Sequence, residues 1–251
     1  MFIDTHCHLS FEYYNSIEDV ILENRKNKID KIIISGCSKE EIESSLQYIE
    51  SYEDVYATIG YHPDQVEQIG LEDIQKLESL IVEHKKIVGI GEIGLDYHYT
   101  KENKEKQIAL FKSQLDLAEK LHLPVVIHTR DATEDTINIL REYKLNGVIH
   151  CFSGSLETAN IYLSLGYKLG IGGVVTFKNS KLGEVVKKVS LSDIVLETDS
   201  PYLSPEPFRG TTNSSKNIPL IAMKISQIKG VNIEEVSKIT LENTYNLFDL
   251  K

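Results

Sequence analysis

A chain of 251 residues with 41% hydrophobic and 26% charged residues has the balance of a folded globular protein with a sizeable core, which excludes a disordered chain. The formal net charge of -11 argues against a broad basic surface for gripping nucleic acid, yet leaves an anionic substrate open if bound divalent cations supply local positive charge. Cys7, Cys37 and Cys151 form no CxxC pair and read as small packed residues. With no basic leader and no apolar run of membrane-spanning length, they point to a soluble, cytoplasmic protein with no membrane partner.

From the amino terminus onward, short β-branched runs alternate with longer helical patterns. The runs are MFIDTH at the start, KIIIS at 31–35, VYATIG at 55–60, IVGIGEIG at 87–94, PVVIHT at 124–129, GVIHCF at 147–152, YKLGIGG at 167–173 and DIVLETD at 193–199. Between the fourth and fifth, EKQIALFKSQLDLAEKLH repeats Ile108, Leu110, Phe111, Leu115, Leu117 and Ala118 near the helical period. Such alternation predicts a parallel sheet with crossover helices. Eight strands in about 250 residues are the inventory of a (β/α)8 TIM barrel, an α/β fold expected as a single domain over residues 1–251, with an open doubly wound sheet as the alternative. The polar, turn-rich SPEPFRGTTNSSKNIP at 204–219 reads as a long loop after the eighth strand, placed to cover the mouth of a barrel.

Six potential metal ligands fall at or near the carboxyl ends of these runs. They are His6 and His8 in the first, Glu92 in the fourth, His128 in the fifth, His150 in the sixth and Asp199 in the eighth. In a barrel those ends converge on one mouth, where active sites of this fold are built. His6 and His8 share a strand face while Cys7 points the other way. A lone histidine beside an apolar run reads as hydrogen-bonded core, and His84, His98 and His122 are left in that class. Four histidines and two carboxylates together match the donor set of divalent metals.

Glu92 lies in the apolar, glycine-rich VGIGEIGLDY, where an unpaired carboxylate is costly to bury. Its two oxygens suit a bridge between two ions. One division gives His6, His8 and Asp199 to the first ion and His128 and His150 to the second, with Glu92 between. Two such ions favour hydrolysis of an ester or amide. Asp199 is placed to serve as ligand and as the base toward water, and Glu197, of the same strand parity, lies one layer deeper as a supporting acid.

These residues with their neighbours resemble the TatD family of metal-dependent deoxyribonucleases, within the larger amidohydrolase-like group. The resemblance rests on DTHCHL at 4–9, IGYHPD at 59–64, GEIGLDYH at 91–98, PVVIHTRDA at 124–132, IHCFSGS at 149–155 and LETDSPYL at 196–203. It implies a (β/α)8 barrel with a binuclear divalent site that hydrolyses phosphodiester bonds in DNA or related nucleic acid, and no obligate protein partner is evident in the sequence. It carries the metal roles onto His6, His8, Glu92, His128, His150 and Asp199, and suggests His62 near the substrate phosphate. Arg130 and Arg209 are the cations best placed to meet a phosphate, unless each pairs with a carboxylate. Family members often carry a Lys and a Glu where RGTTNSS at 209–215 has Thr211 and Ser214, a departure that bears on substrate rather than metal. The ion is expected to be Zn, Mg or Mn. A hydrolase of a small C–N or ester substrate and a metal-binding protein without turnover are the two alternatives.

Overall fold

Aliphatic and β-branched runs build eight strands in this computed structural model, which describes residues 1–250. They are β1 (Phe2–Cys7), β2 (Ile29–Gly36), β3 (Val55–Ile59), β4 (Ile87–Asp96), β5 (Val125–Arg130), β6 (Gly147–Ile149), β7 (Tyr167–Ile171) and β8 (Ile194–Leu196). Each pairs in parallel with the next, in the order β1-β2-β3-β4-β5-β6-β7-β8. The ring is drawn together where Cys7 bridges Ser200. His8 donates its backbone N–H to the Ser200 carbonyl at 2.7 Å, and Asp199 donates to His6 at 3.0 Å. A doubly wound sheet would place its first strand inside the order, so the barrel expectation holds.

Helices α1 (Ile17–Lys26), α2 (Lys39–Ser51), α3 (Leu71–Glu83), α4 (Lys104–Leu121), α5 (Thr133–Leu140), α6 (Leu156–Ser164) and α7 (Leu182–Lys188) lie between the strands. After β8 come α8 (Ile218–Lys229) and α9 (Ile233–Phe248). Ser16, Ser38, Ser155 and Asn232 cap four of them by accepting from backbone N–H groups of the first turn. The main core lies between sheet and helices. Inside the barrel, Tyr56, Val88, Val126, Val148 and Val195 form a smaller apolar cluster, onto which Phe248 and Leu250 pack. Val126 and Val148 each stand two residues before a site histidine, so the strand period that fills the interior also aims the ligands above it. Among the described residues no helix is long and apolar enough to cross a membrane.

Two runs end earlier than their hydrophobic pattern suggests. His150 and Asp199 stand just beyond β6 and β8, and Cys151 and Asp199 take left-handed backbone angles, φ 47° and 53°. The chain leaves the ladder there because side chains replace its partners: Cys151 N–H donates to Glu197 Oε1 at 2.5 Å and Thr198 N–H to Asp4 Oδ1 at 3.0 Å. The segment at 204–219 is docked on the chain after β7, where Glu206 N–H donates to Thr176 Oγ1 at 2.9 Å. Asn213, fully buried, ties it to the end of β8 by donating to the Thr198 and Tyr202 carbonyls. Residues 207–212 stay exposed.

Gly94 pairs with His128 across β4 and β5 at φ 149°, and a Cβ there would overlap the His128 carbonyl. Gly94→Ala is therefore expected to destabilise the fold by about 3 kcal/mol or more. A chemical-denaturation midpoint close to wild type would show that β4 and β5 can separate to admit the methyl group.

Candidate metal centre

His6 lies one residue before the end of β1 and His8 follows the strand, with the two Nε2 atoms 3.2 Å apart, while the Cys7 thiol turns toward the Ile33 carbonyl. Between these rings and the pair from β5 and β6, β4 inserts Glu92. Its Oε2 lies 3.4 Å from His6 Nε2 and 3.9 Å from His8 Nε2. Its Oε1 lies 2.7 Å from His128 Nδ1 and 3.6 Å from His150 Nε2. Asp199 Oδ1 completes the cluster, 3.7 Å from His6 Nε2, 3.7 Å from His8 Nε2 and 3.8 Å from His150 Nε2. All six residues singled out as ligands meet at the carboxyl end of the barrel. Donor atoms of His6, His8 and Glu92 lie within 4.8 Å of one another, as do those of Glu92, His128 and His150, and those of His6, His150 and Asp199.

The chemistry of this donor set fits divalent cations. Among the described residues, every ion-pair partner of Glu92 and Asp199 is a histidine, so no Lys or Arg neutralises them. Burial alone would raise the Glu92 pKa, but the rings of His150, His128 and His6 hold it well below the ordinary carboxylate value. Burial likewise pulls the histidines down. His6 ends up lowered, whereas Asp96 and Glu92 push His128 up to about 9, and Glu92, Glu197 and Asp199 push His150 up to about 10. Without a metal the carboxylates thus recruit protons onto two rings. A bound cation would supply that positive charge instead.

Acids stand behind three of the rings, an arrangement that fixes ring orientation and tautomer in metal sites. Asp96 Oδ2 lies 3.0 Å from His128 Nε2, Glu197 Oε1 3.4 Å from His150 Nδ1 and Glu41 Oε1 3.8 Å from His8 Nδ1. Glu197 is buried, as its place one layer below Asp199 suggests, and fits because Gly170 has no side chain to occupy its space. Asp96 and Glu41 were not anticipated. Asp96 shares strand parity with Glu92, a signal present in GEIGLD. Two buried glutamines of α4 were also missed: Gln107 exchanges hydrogen bonds with the Asp96 backbone, and Gln114 does the same with Tyr61. They hold the chain ends that carry Asp96 and His62.

His62 reaches the edge of the cluster. Its Nδ1 is 2.9 Å from Asp64 Oδ1, its Nε2 is 3.9 Å from Glu92 Oε1, and its ring packs edge-on against His128. Arg130 and Arg209 are exposed and lie over aromatic faces, Tyr99 at 5.4 Å and Phe177 at 4.3 Å. His84 pairs with Glu50, His98 with Asp131, and His122 ends α4 in a left-handed turn.

A family model described as TatD related DNase matches residues 3–249. The chain is 40% identical over 253 residues to YabD of Bacillus subtilis, an uncharacterized metal-dependent hydrolase, with 99% of each chain covered. The crystal structure of YjjV, a TatD homologue from Escherichia coli, matches with a TM-score of 0.93 at 31% identity, covering 100% of this chain and 98% of that one. A TatD family hydrolase from Entamoeba histolytica matches with a TM-score of 0.86 at 26% identity, covering 98% and 97%.

Proposed function

This chain belongs to the family of TatD-related DNases and is a metal-dependent hydrolase, and we propose that it cleaves phosphodiester bonds of DNA, working from a strand end. His6, His8 and Asp199 would hold a first divalent ion and His128 and His150 a second, with Glu92 shared between them. The observation that carries this reading is the division of Glu92: one carboxylate oxygen faces the rings of β1 and the other faces those of β5 and β6. Imidazole-rich ligation suits Zn, while the carboxylates and a phosphate substrate suit Mg or Mn. The three free cysteines favour a reducing compartment such as the cytoplasm.

Divalent ions in this site would supply Lewis acidity toward a phosphoryl oxygen and lower the pKa of water. The Asp199 side chain is 15% exposed against 6% for Glu92, so it is the carboxylate that meets incoming water and takes its proton. His62, steadied by Asp64, faces the cluster from the rim and contacts the substrate phosphate. Arg130 and Arg209 extend into solvent, where bidentate hydrogen bonds to phosphate are open to them. Asp96 Oδ2 stands 3.0 Å from His128 Nε2, so it would accept that N–H when metal is bound and leave Nδ1 free to serve as the ligand. Asp96→Asn is expected to weaken metal binding by about 10–100-fold, read by competition with a chromophoric chelator. Unchanged affinity would remove Asp96 from this role.

The direct test is degradation of end-labelled DNA and RNA by metal-reconstituted protein. Stepwise shortening is expected, with Arg130→Ala and Arg209→Ala losing activity while keeping their metal. Turnover of a lactone or cyclic amide, with oligonucleotides left intact, would replace the phosphodiesterase reading by an amidohydrolase one. If every substrate survives and Asp199→Asn behaves as wild type, the protein binds metal without turnover.

A further inference from the structure

Beside the proposed binuclear centre, three segments bring together a second set of donors. His8 follows β1, Cys37 follows β2, and Glu41 lies in the first turn of α2. Their donor atoms lie within 4.8 Å of one another. The Cys37 thiol donates to Glu41 Oε2 at 2.8 Å, and Glu41 Oε1 lies 3.8 Å from His8 Nδ1. Helix capping accounts for only part of this arrangement. Ser38 already caps α2 by accepting from Glu41 N–H at 3.2 Å, and Cys37 N–H engages only one Glu41 oxygen, at 3.1 Å. The other oxygen is left for His8. At 38% exposure, the Glu41 side chain gives the cluster a route to solvent.

We propose that His8, Cys37 and Glu41 form a third cation site, selective for thiophilic divalent ions of the zinc and cadmium class, and that filling it withdraws His8 from the first ion of the centre. The selectivity follows from sulfur, since thiolate favours zinc-like ions whereas Mg and Mn prefer oxygen donors. Glu41 supplies the negative charge a cation needs, with one carboxylate oxygen on the thiol and the other facing His8. On binding, the Cys37 S–H bond breaks and its proton leaves to solvent. Sulfur then forms the bond to the ion, and thiolate with carboxylate balances the dication's charge.

The competition arises at His8. A neutral imidazole carries one N–H and one free lone pair. With Nε2 turned to His6, Glu92 and Asp199, and Nδ1 turned to Glu41, the ring can serve one metal site at a time. Ligation through Nδ1 moves the ring proton to Nε2 and takes a donor from the first ion. This inhibitory consequence rests on the reading of His8 as a ligand of that ion; the existence of the third site does not.

Protein loaded with Mn2+ is titrated with Cd2+ while the ultraviolet sulfur-to-cadmium charge-transfer band is followed. The proposed centre contains no sulfur ligand, so the band reports on cysteine alone. Wild type and Cys151→Ser are expected to develop it, while Cys37→Ser and Cys37→Ala, checked for native circular dichroism, lose it. No band in wild type, or a band that persists in both Cys37 variants, overturns the site. In parallel, Cys37→Ser is expected to need at least tenfold more Cd2+ for half-inhibition of Mn2+-supported hydrolysis. Equal inhibition with the band lost overturns the competition for His8. Should no phosphodiester be hydrolysed at all, that failure belongs to the functional reading, and the absorbance titration still decides the cation site.

Discussion

Asp199→Asn is expected to lower kcat on an oligonucleotide by on the order of 10²–10⁴-fold, the range for loss of a positioned base. The substitution keeps the shape of the side chain and removes its basic oxygen. Backbone strain does not confuse the result, because Asn occupies the left-handed region at φ 53° as readily as Asp does. Asp199 Oδ1 stands nearly equidistant from three ring nitrogens, at 3.7, 3.7 and 3.8 Å, so the same substitution also probes ligation. Metal content measured on the same samples separates the roles. A large fall in kcat with both ions present isolates proton transfer, whereas loss of the first ion identifies Asp199 chiefly as a ligand. A kcat within threefold of wild type would remove it from the reaction.

Glu92→Gln is expected to reduce the bound metal from two ions to one at most and to abolish turnover. Glu92 is buried and all its ionic partners are histidines, so nothing else nearby replaces its charge. Stripping a buried charge of its partner costs about 3–5 kcal/mol, enough to lose the second ion on dialysis. The proton balance gives an independent readout. With His128 pushed up to about 9 and His150 to about 10, both rings are protonated at neutral pH in the metal-free protein. Loading of a second ion would expel those protons, so its apparent affinity is expected to fall as pH drops below about 10, where His150 takes its proton, and more steeply below about 9, where His128 does. Calorimetric titrations in two buffers of different ionisation heat are expected to show proton release in wild type and less of it in Glu92→Gln. Retention of two tightly bound ions by the variant would end the bridging assignment.

Much of the candidate centre is legible in the sequence because strand periodicity and the barrel's architecture act together. His6, His8, His128, His150 and Asp199 are residue types that bind metal and fall where hydrophobic runs end. Glu92 stands out because burying a charge among glycines and aliphatics is costly. The same period places Asp96 on the face of Glu92, but a single Asp near a strand end reads equally well as a turn residue. Gln107 and Gln114 were hidden for another reason. On an amphipathic helix a glutamine reads as solvent-facing, and only the approach of α4 to the ends of β3 and β4 shows that each satisfies two backbone groups. Nothing local in the sequence distinguishes the Cys37 thiol, beside a carboxylate and an imidazole, from one in an apolar core.

The sequence by itself determined the order of βα units, the barrel they form and the chemical types offered at its mouth, since these depend on alternation, length and composition along the chain. The tertiary structure alone decided which nitrogen of each ring turns inward, which acid stands behind it, and how the seam closes between Asp4 and Thr198, 194 positions apart. Periodicity specifies a face of a strand but carries no distance between strands. The separations of 2.7–3.9 Å around Glu92 arise only when barrel closure sets β1, β4, β5 and β6 around one axis.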